Sequence, residues 1–313
     1  MTDPEIPPPA THTISAVERD TGLGKDTLRV WERRYGFPQP QRDSNGDRVY
    51  PLDQVNKLRL LKRLIDSGHR PGKVVHLEFD ELQALADSSA GAEKTKGAAT
   101  DHAELMPLLE MCMAHRIEEL RRSLAHALVR VGLQAFVEDM IAPLTEMVGE
   151  LWARGQIAIH EEHLYTEVVQ GLLRGAIAPI LQHRAQDDVR PRVLLTTFPQ
   201  EQHGLGLLMA EAMFALEGAY CISLGVQTPV IEIVQAASAQ RADIVALSFS
   251  AAMPPKQAID GLAELAGKLP AAVEIWAGGG CFILVRRLEL PVRVLALSEV
   301  APALAAWRQR HLA

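Results

Sequence analysis

Apolar and polar positions change rhythm three times along the chain. In the first stretch, Leu28, Trp31 and Tyr35 recur at i, i+3 and i+7 and predict a helix over residues 25–35, with Lys25, Arg29 and Arg33 stacked on its opposite face. Ser15-x-x-Glu18 reads as a capping box for a short helix before it, and Gly22-Leu23-Gly24 as the turn between the two. Gly36-Phe37-Pro38 ends the second helix. Residues 41–50 then form two short extended segments around a two-residue hairpin turn, Asn45-Gly46. Pro51-Leu52-Asp53 opens a third helix with one apolar face of Val55, Leu58, Leu61, Leu64 and Ile65.

A Ser/Ala/Gly/Lys-rich linker at 87–101 separates this stretch from a second, where helical spacing runs through 105–113, 118–128, 135–151 and 161–181. Four helices with short connections predict a bundle. In the third stretch, apolar strand runs at 192–197, 220–224, 243–248, 274–277 and 292–296 alternate with helical segments at 205–217, 230–240, 256–268, 282–288 and 300–311. That alternation predicts a doubly wound parallel sheet, whose ligands sit at the carboxyl ends of its strands. The expected chain is multidomain, α and α/β: a winged helix-turn-helix (12–80), the linker, a four-helix bundle (102–186) and a Rossmann-like doubly wound sheet (190–313).

Composition narrows the classes. An apolar share of 48% and a charged share of 23% in 313 residues are those of folded domains and exclude extensive disorder. No apolar run reaches the ~20 residues of a membrane span, and the Pro-rich, acidic first ten residues are unlike a signal peptide, so a cytoplasmic protein without membrane contact is expected. Cys112, Cys221 and Cys281 lack C-x-x-C spacing, which points to buried inert thiols rather than a disulfide framework or a cysteine zinc site. The net charge of −7 is uneven: thirteen basic and eight acidic side chains lie between His12 and Val75. A basic module on an acidic remainder suits a nucleic-acid partner.

Taken singly, each arginine of the basic module is a solvated charge; their order is not that of a random surface. Residues 27–36, Thr-Leu-Arg-Val-Trp-Glu-Arg-Arg-Tyr-Gly, with Arg48-Val49-Tyr50, resemble the MerR family of winged-helix transcription regulators. The resemblance implies that Lys25, Arg29, Arg33 and Arg34 face the major groove and its backbone, with Arg42, Arg48 and Tyr50 on the wing. The long coiled-coil helix through which such regulators dimerise is not matched, so assembly falls to the C-terminal part.

Within the bundle, Trp152 is followed after nine residues by Glu162-His163. A tryptophan closing a helix is ordinarily core, and a Glu-His pair a solvated helix start. The spacing resembles that of the adenosylcobalamin-sensing bundle of CarH/LitR-type photoreceptor repressors. It implies Trp152 against the upper ligand and Glu162 and His163 in polar contact with an adenosyl group. Light-sensing members often carry a histidine directly after the tryptophan; here that position is Ala153.

Beyond the first strand of the third stretch lies Glu201-Gln202-His203-Gly204-Leu205-Gly206. An imidazole such as His203 is a good cobalt ligand, and a neighbouring carboxylate, Glu201, can take its other N–H and fix the tautomer. Gly206, and Gly278-Gly279 further on, omit side chains where a bulky group must approach the backbone, while Ser248 offers a hydroxyl. Together with Ser248-x-Ser250, these resemble the D/E-x-H-x-x-G, S-x-(L/T/S) and G-G elements of cobalamin-binding domains. The resemblance implies that His203 replaces the cofactor's own base on cobalt, the displaced base entering a slot lined by Gly206, Ser248, Ser250, Gly278 and Gly279.

The combined resemblance implies a non-enzymatic repressor that binds double-stranded operator DNA as an adenosylcobalamin-loaded homo-oligomer, dimer or tetramer, in the dark and is released by light. Ala153 keeps open a regulator that senses cobalamin or another tetrapyrrole without light. A corrinoid enzyme component is the third reading, set against it the absence of a catalytic barrel from the sequence pattern.

Overall fold

The computed structural model describes residues 11–66, 69–91, 104–153, 156–182, 189–281, 284 and 289–311. Contacts divide the chain into an N-terminal unit, up to residue 100 with 150–157, and a second unit of 101–149 with 158–313.

The N-terminal unit is a winged helix-turn-helix. Strand β1 (Thr11–Thr13) leads into α1 (Ile14–Thr21) and α2 (Lys25–Tyr35); the wing strands β2 (Gln41–Arg42) and β3 (Arg48–Pro51) precede α3 (Leu52–Asp66), a short α4 (Pro71–Val74) and α5 (Phe79–Gly91). β3 is the centre of an antiparallel sheet in the order β1-β3-β2. The strand β1 carries no apolar alternation and was not expected. Val17, Leu28, Trp31, Tyr50, Val55, Leu58, Leu61, Leu64, Val75 and Leu82 make one core. Leu82 brings α5 into that core, so residues 87–91, expected as linker, are instead its last residues; the remainder of the expected linker lies outside the described residues.

Two expected local devices are replaced. The cap of α1 is Thr13, whose hydroxyl accepts from Ala16 N–H at 3.3 Å, not Ser15. Glu18 serves the next helix, accepting from Lys25 N–H at 3.1 Å, because Gly24 at the start of α2 has no side chain with which to cap it. The wing turns through residues 43–47 rather than through two residues: Asp43 accepts from the N–H groups of Asn45 and Asp47, each at 2.9 Å. Such a side-chain-built turn is available to aspartate wherever it opens a loop.

The second unit begins with α6 (Met106–Met113) and α7 (Ile117–Val131). After α8 (Leu133–Ala135), a π-helical turn at Phe136–Ile141 leads into α9 (Ala142–Ala153), and α10 (Ile159–Gln182) follows. The expected continuous helix at 135–151 is thus interrupted. The wider π turn lets Phe136, Val137 and Ile141 all bury completely, which a 3.6-residue period does not do for that spacing.

β4 (Arg192–Thr196), β5 (Tyr220–Gly225), β6 (Ile244–Ser248), β7 (Glu274–Gly278) and β8 (Val292–Val294) form a parallel sheet in the order β5-β4-β6-β7-β8. The helices are α11 (Leu205–Leu216), α12 (Val230–Ala239), α13 (Pro255–Lys268) and α14 (Val300–His311). The expected helix at 282–288 lies outside the described residues apart from Leu284. Leu194, Val245, Leu247, Ile275 and Ala277 pack with Ile233 of α12 and Ala258, Leu262 and Leu265 of α13. Trp276 turns the other way and meets Phe214 of α11, ring centroids 5.9 Å apart. α11 is apolar except for Glu211 because it lies between the sheet and α10, and eight of its side chains are buried.

The N-terminal unit rests on one nearly buried ion pair. Arg59 of α3 grips Asp20 of α1 through two hydrogen bonds, 2.6 and 3.1 Å, and a third, 2.7 Å, to Asn56. Asp20→Ala leaves that guanidinium unpaired and is expected to cost about 3 kcal/mol; denaturant unfolding of the N-terminal unit measures it, and a change under 1 kcal/mol contradicts it.

Candidate functional site

The chain runs out from β4 to the edge strand β5 and returns past β4 to β6, so the order of strands reverses between β4 and β6. Loops diverge at such a point and leave a crevice at the carboxyl ends. The loop after β4 carries Glu201 and His203, and the loop after β6 carries Ser250.

Glu201 is 1% exposed and its carboxylate accepts four hydrogen bonds. Oε1 takes the His203 backbone N–H at 2.9 Å and ring Nδ1 at 2.6 Å; Oε2 takes the Ser250 N–H at 2.7 Å and hydroxyl at 2.8 Å. Burial on its own raises a carboxyl pKa. Here the donors from His203 and Ser250 outweigh it and hold Glu201 below the ordinary carboxylate value. An ionised carboxylate only accepts, so His203 bears its proton on Nδ1 and keeps Nε2 as the available nitrogen of a half-exposed ring. The hydrogen bond to Glu201 raises the His203 pKa above 6.5 against the effect of burial, and the charges of Glu201 and Glu162 add to it.

Thr197, unremarked in the sequence, supports this loop. Its hydroxyl donates to the Glu201 carbonyl at 2.7 Å and accepts from Gln227 N–H at 2.8 Å. The signal that could have found it is a pair of polar residues, Thr196-Thr197, closing an otherwise apolar strand run.

The glycines have a reason within the fold. A Cβ on Gly206, in the first turn of α11, would stand 2.6 Å from the Ser248 hydroxyl. Gly279 has φ +113°, and a Cβ there would meet the Phe249 carbonyl oxygen at 2.2 Å; one on Gly278 would meet the Leu295 carbonyl oxygen at 2.8 Å. Ser248 itself is buried at the end of β6.

On the bundle, Glu162 in the first turn of α10 accepts from the Thr166 hydroxyl at 2.7 Å and shares a 2.7 Å hydrogen bond with His163 Nδ1. Thr166, one turn on, is a second supporting residue outside the motif. Trp152 is partly buried in the last turn of α9.

In the N-terminal unit, the surface of α2 presents Asp26, Arg29, Val30, Arg33 and Arg34. Arg29 pairs with Asp26 at 3.1 Å, Arg33 Nε reaches the Arg29 carbonyl at 3.4 Å, and Arg34 lies over the Tyr35 ring at 5.3 Å. Lys25 is drawn 3.6 Å from Glu18, and Arg42 donates to the Gly46 carbonyl within the wing at 2.6 Å. Two of the expected DNA-facing residues are held inward. Arg48 forks onto Glu32 of α2 at 3.0 and 3.4 Å, and Tyr50 is fully buried in the core.

Residues 12–78 match the model of the MerR HTH family regulatory proteins, and residues 106–174, most of the helical bundle, match a B12 binding domain. The chain is 31% identical to the HTH-type transcriptional repressor CarH of Myxococcus xanthus over 86% of its own length and 89% of that protein's. It belongs to the CarH-type cobalamin regulators. CarA of the same organism, also a transcriptional repressor, is 28% identical over 79% of each chain. The monomethylamine corrinoid protein of Methanosarcina barkeri, 16% identical, superposes with a TM-score of 0.50 over 64% of this chain and 96% of that one, a likeness of fold.

A CarH-type regulator is a DNA-binding transcription factor that binds cobalamin. Its most extensively matched relatives are transcriptional repressors, and among the described residues no helix is long and apolar enough to cross a membrane. None of the three cysteines forms a disulfide; Cys112 and Cys281 are buried and Cys221 is partly so.

Without cofactor, the His203 ring is expected to titrate above the ordinary imidazole value of 6.5. Glu201→Gln removes the leading cause and should lower that midpoint. Following the ring Hε1 resonance against pH tests this, and equal midpoints in the two proteins contradict it.

Proposed function

We propose that this regulator is a light-responsive repressor of the cytoplasm, holding double-stranded operator DNA in the dark as an adenosylcobalamin-loaded dimer or tetramer and releasing it on illumination. The observation that carries the reading is the His203 imidazole at the reversal of strand order, its Nδ1 committed to a buried carboxylate and its Nε2 left for a metal. That donor set fits a corrinoid cobalt: a neutral nitrogen ligand, oriented and made more basic by an ionised partner. Gly206, Ser248, Ser250, Gly278 and Gly279 would hold the nucleotide tail, and Glu162 and His163 the upper side.

When bound, adenosylcobalamin supplies a cobalt–carbon bond that light breaks. The chain's residues do the rest. Glu201 keeps the His203 proton on Nδ1, and Ser250 keeps Glu201 ionised. Glu162, set by Thr166, presents a fixed acceptor to hydroxyl and amino groups on the upper side. A ligand with different contacts in assembled and separate chains shifts the balance between them, and loss of several linked DNA contacts turns separation into a large loss of affinity.

On DNA, Arg29 and Arg33 are the base-reading candidates, being exposed on α2 with only a surface ion pair and a long hydrogen bond to lose. Arg34, Arg42 and Lys25 serve the phosphates. Arg48 acts by tying the wing to α2 through Glu32, and Tyr50 by packing beneath it. A second reading, a cobalamin sensor indifferent to light, is favoured by Ala153 in place of the histidine common in light-sensing members.

His203→Ala should weaken cofactor binding about tenfold or more and return the absorption spectrum to that of cofactor carrying its own base. An unchanged spectrum argues against ligation. Arg29→Ala or Arg33→Ala should cost about 1–3 kcal/mol of operator affinity and leave cofactor uptake intact; full operator retention in gel-shift assays removes them from the interface. Molecular mass and absorption with adenosylcobalamin, before and after green light, separate the two readings: disassembly supports the photoreceptor, and stable binding in both conditions supports the dark sensor.

A further inference from the structure

Outside the site around His203, His115, His160 and Glu161 gather at one corner of the bundle, with one donor atom of each within 4.8 Å of the others. His160 and Glu161 open α10, and His115 comes from the connection between α6 and α7. The His115 Nε2 to Glu161 Oε1 distance is 3.6 Å, and the two imidazoles stack with centroids 5.4 Å apart and an interplanar angle of 18°. We propose that these three side chains form a binding site for a divalent transition metal of the zinc class, bridging the α6–α7 connection to the first turn of α10.

The geometry is near that of a zinc site before closure. Bonds of about 2.0–2.1 Å in a tetrahedron set neighbouring ligands about 3.3 Å apart. The His115–Glu161 edge already lies within a few tenths of that, and the exposed His160 ring closes the remainder by rotation. Three protein ligands leave a fourth position for water on the exposed side.

Two features show the ligands to be held. Glu161 Oε2 accepts the Ala158 N–H at 2.7 Å, capping α10, which fixes the carboxylate and leaves Oε1 facing His115. His115 adopts φ 56°, a left-handed conformation that glycine or asparagine would ordinarily supply at the end of a helix. A histidine there keeps an imidazole over α10 at a conformational cost that a glycine would not incur.

The donor set is two nitrogens and one oxygen. Cys112 is near but buried and turned elsewhere, its S–H donating to the Glu161 carbonyl at 3.3 Å, and it is not among the clustered donors. Imidazole and carboxylate without thiolate suit zinc, nickel or cobalt(II) better than calcium or copper(I). Glu162 lies about 200° of helical turn from His160, bonds to Thr166 and His163, and its charge acts on His203, so its carboxylate is engaged away from the metal site.

The test is calorimetric titration of the full-length, chelator-treated protein with zinc chloride, without cobalamin. Wild type should take up one zinc per chain and rise in melting temperature. His160→Ala and His115→Gly, the latter compatible with the left-handed backbone, should each weaken uptake by about tenfold or more and abolish the rise. His203→Ala should retain both uptake and rise, since its imidazole belongs to the other site. No uptake by wild type at micromolar zinc, or uptake unchanged in His115→Gly and His160→Ala, overturns the proposal.

Discussion

A carboxylate taken out of water must be paired or it will take up a proton, and the region around Glu201 is arranged by that constraint. Four donors converge on one side chain that is 1% exposed, from two loops that meet only because β4 and β6 are neighbours. Ser250 and His203 lie 47 residues apart in sequence and share one acceptor. The charge survives burial only because the folded sheet brings those donors together. It fixes which nitrogen of His203 is free, and every chemical role proposed for that ring follows from it.

The same logic runs through the supporting parts. Thr197 braces the Glu201 backbone and Thr166 braces Glu162, so the two acidic groups nearest His203 are each held from behind. α11, largely apolar and buried, joins sheet and bundle into one unit, so that Glu162 of α10 acts on the charge of His203. In the N-terminal unit the arginines sort by partner. Arg59 and Arg48 are committed to Asp20 and Glu32 and belong to the architecture, whereas Arg29 and Arg33 remain on the surface with little to lose.

Much of this was legible in the chain because it depends on neighbours in sequence. The limits of α2, the apolar face of α3 and all five parallel strands follow from periodicity and local breakers, and they stand at or within a few residues of the expected positions. What escaped depends on partners far away or on competition among near ones. The strand β1 exists because β3 offers it an edge; Thr13 displaced Ser15 as a cap, and Glu18 was drawn to α2. The π turn at Phe136–Ile141 answers to burial against other helices, a demand that helical periodicity does not encode.

The sequence by itself determined the alternation that makes the sheet parallel and marked out the candidate residues for a corrinoid and for DNA, since residue type and spacing carry that information. Tertiary structure decided which of them are free to act. It put the proton of His203 on Nδ1, committed Arg48 to Glu32, buried Tyr50 in the core, and brought His115 from one connection to His160 and Glu161 on another helix. The physical reason is the same in each case: hydrogen bonds, burial and charge depend on distance in space, and distance in space is set only when the elements pack.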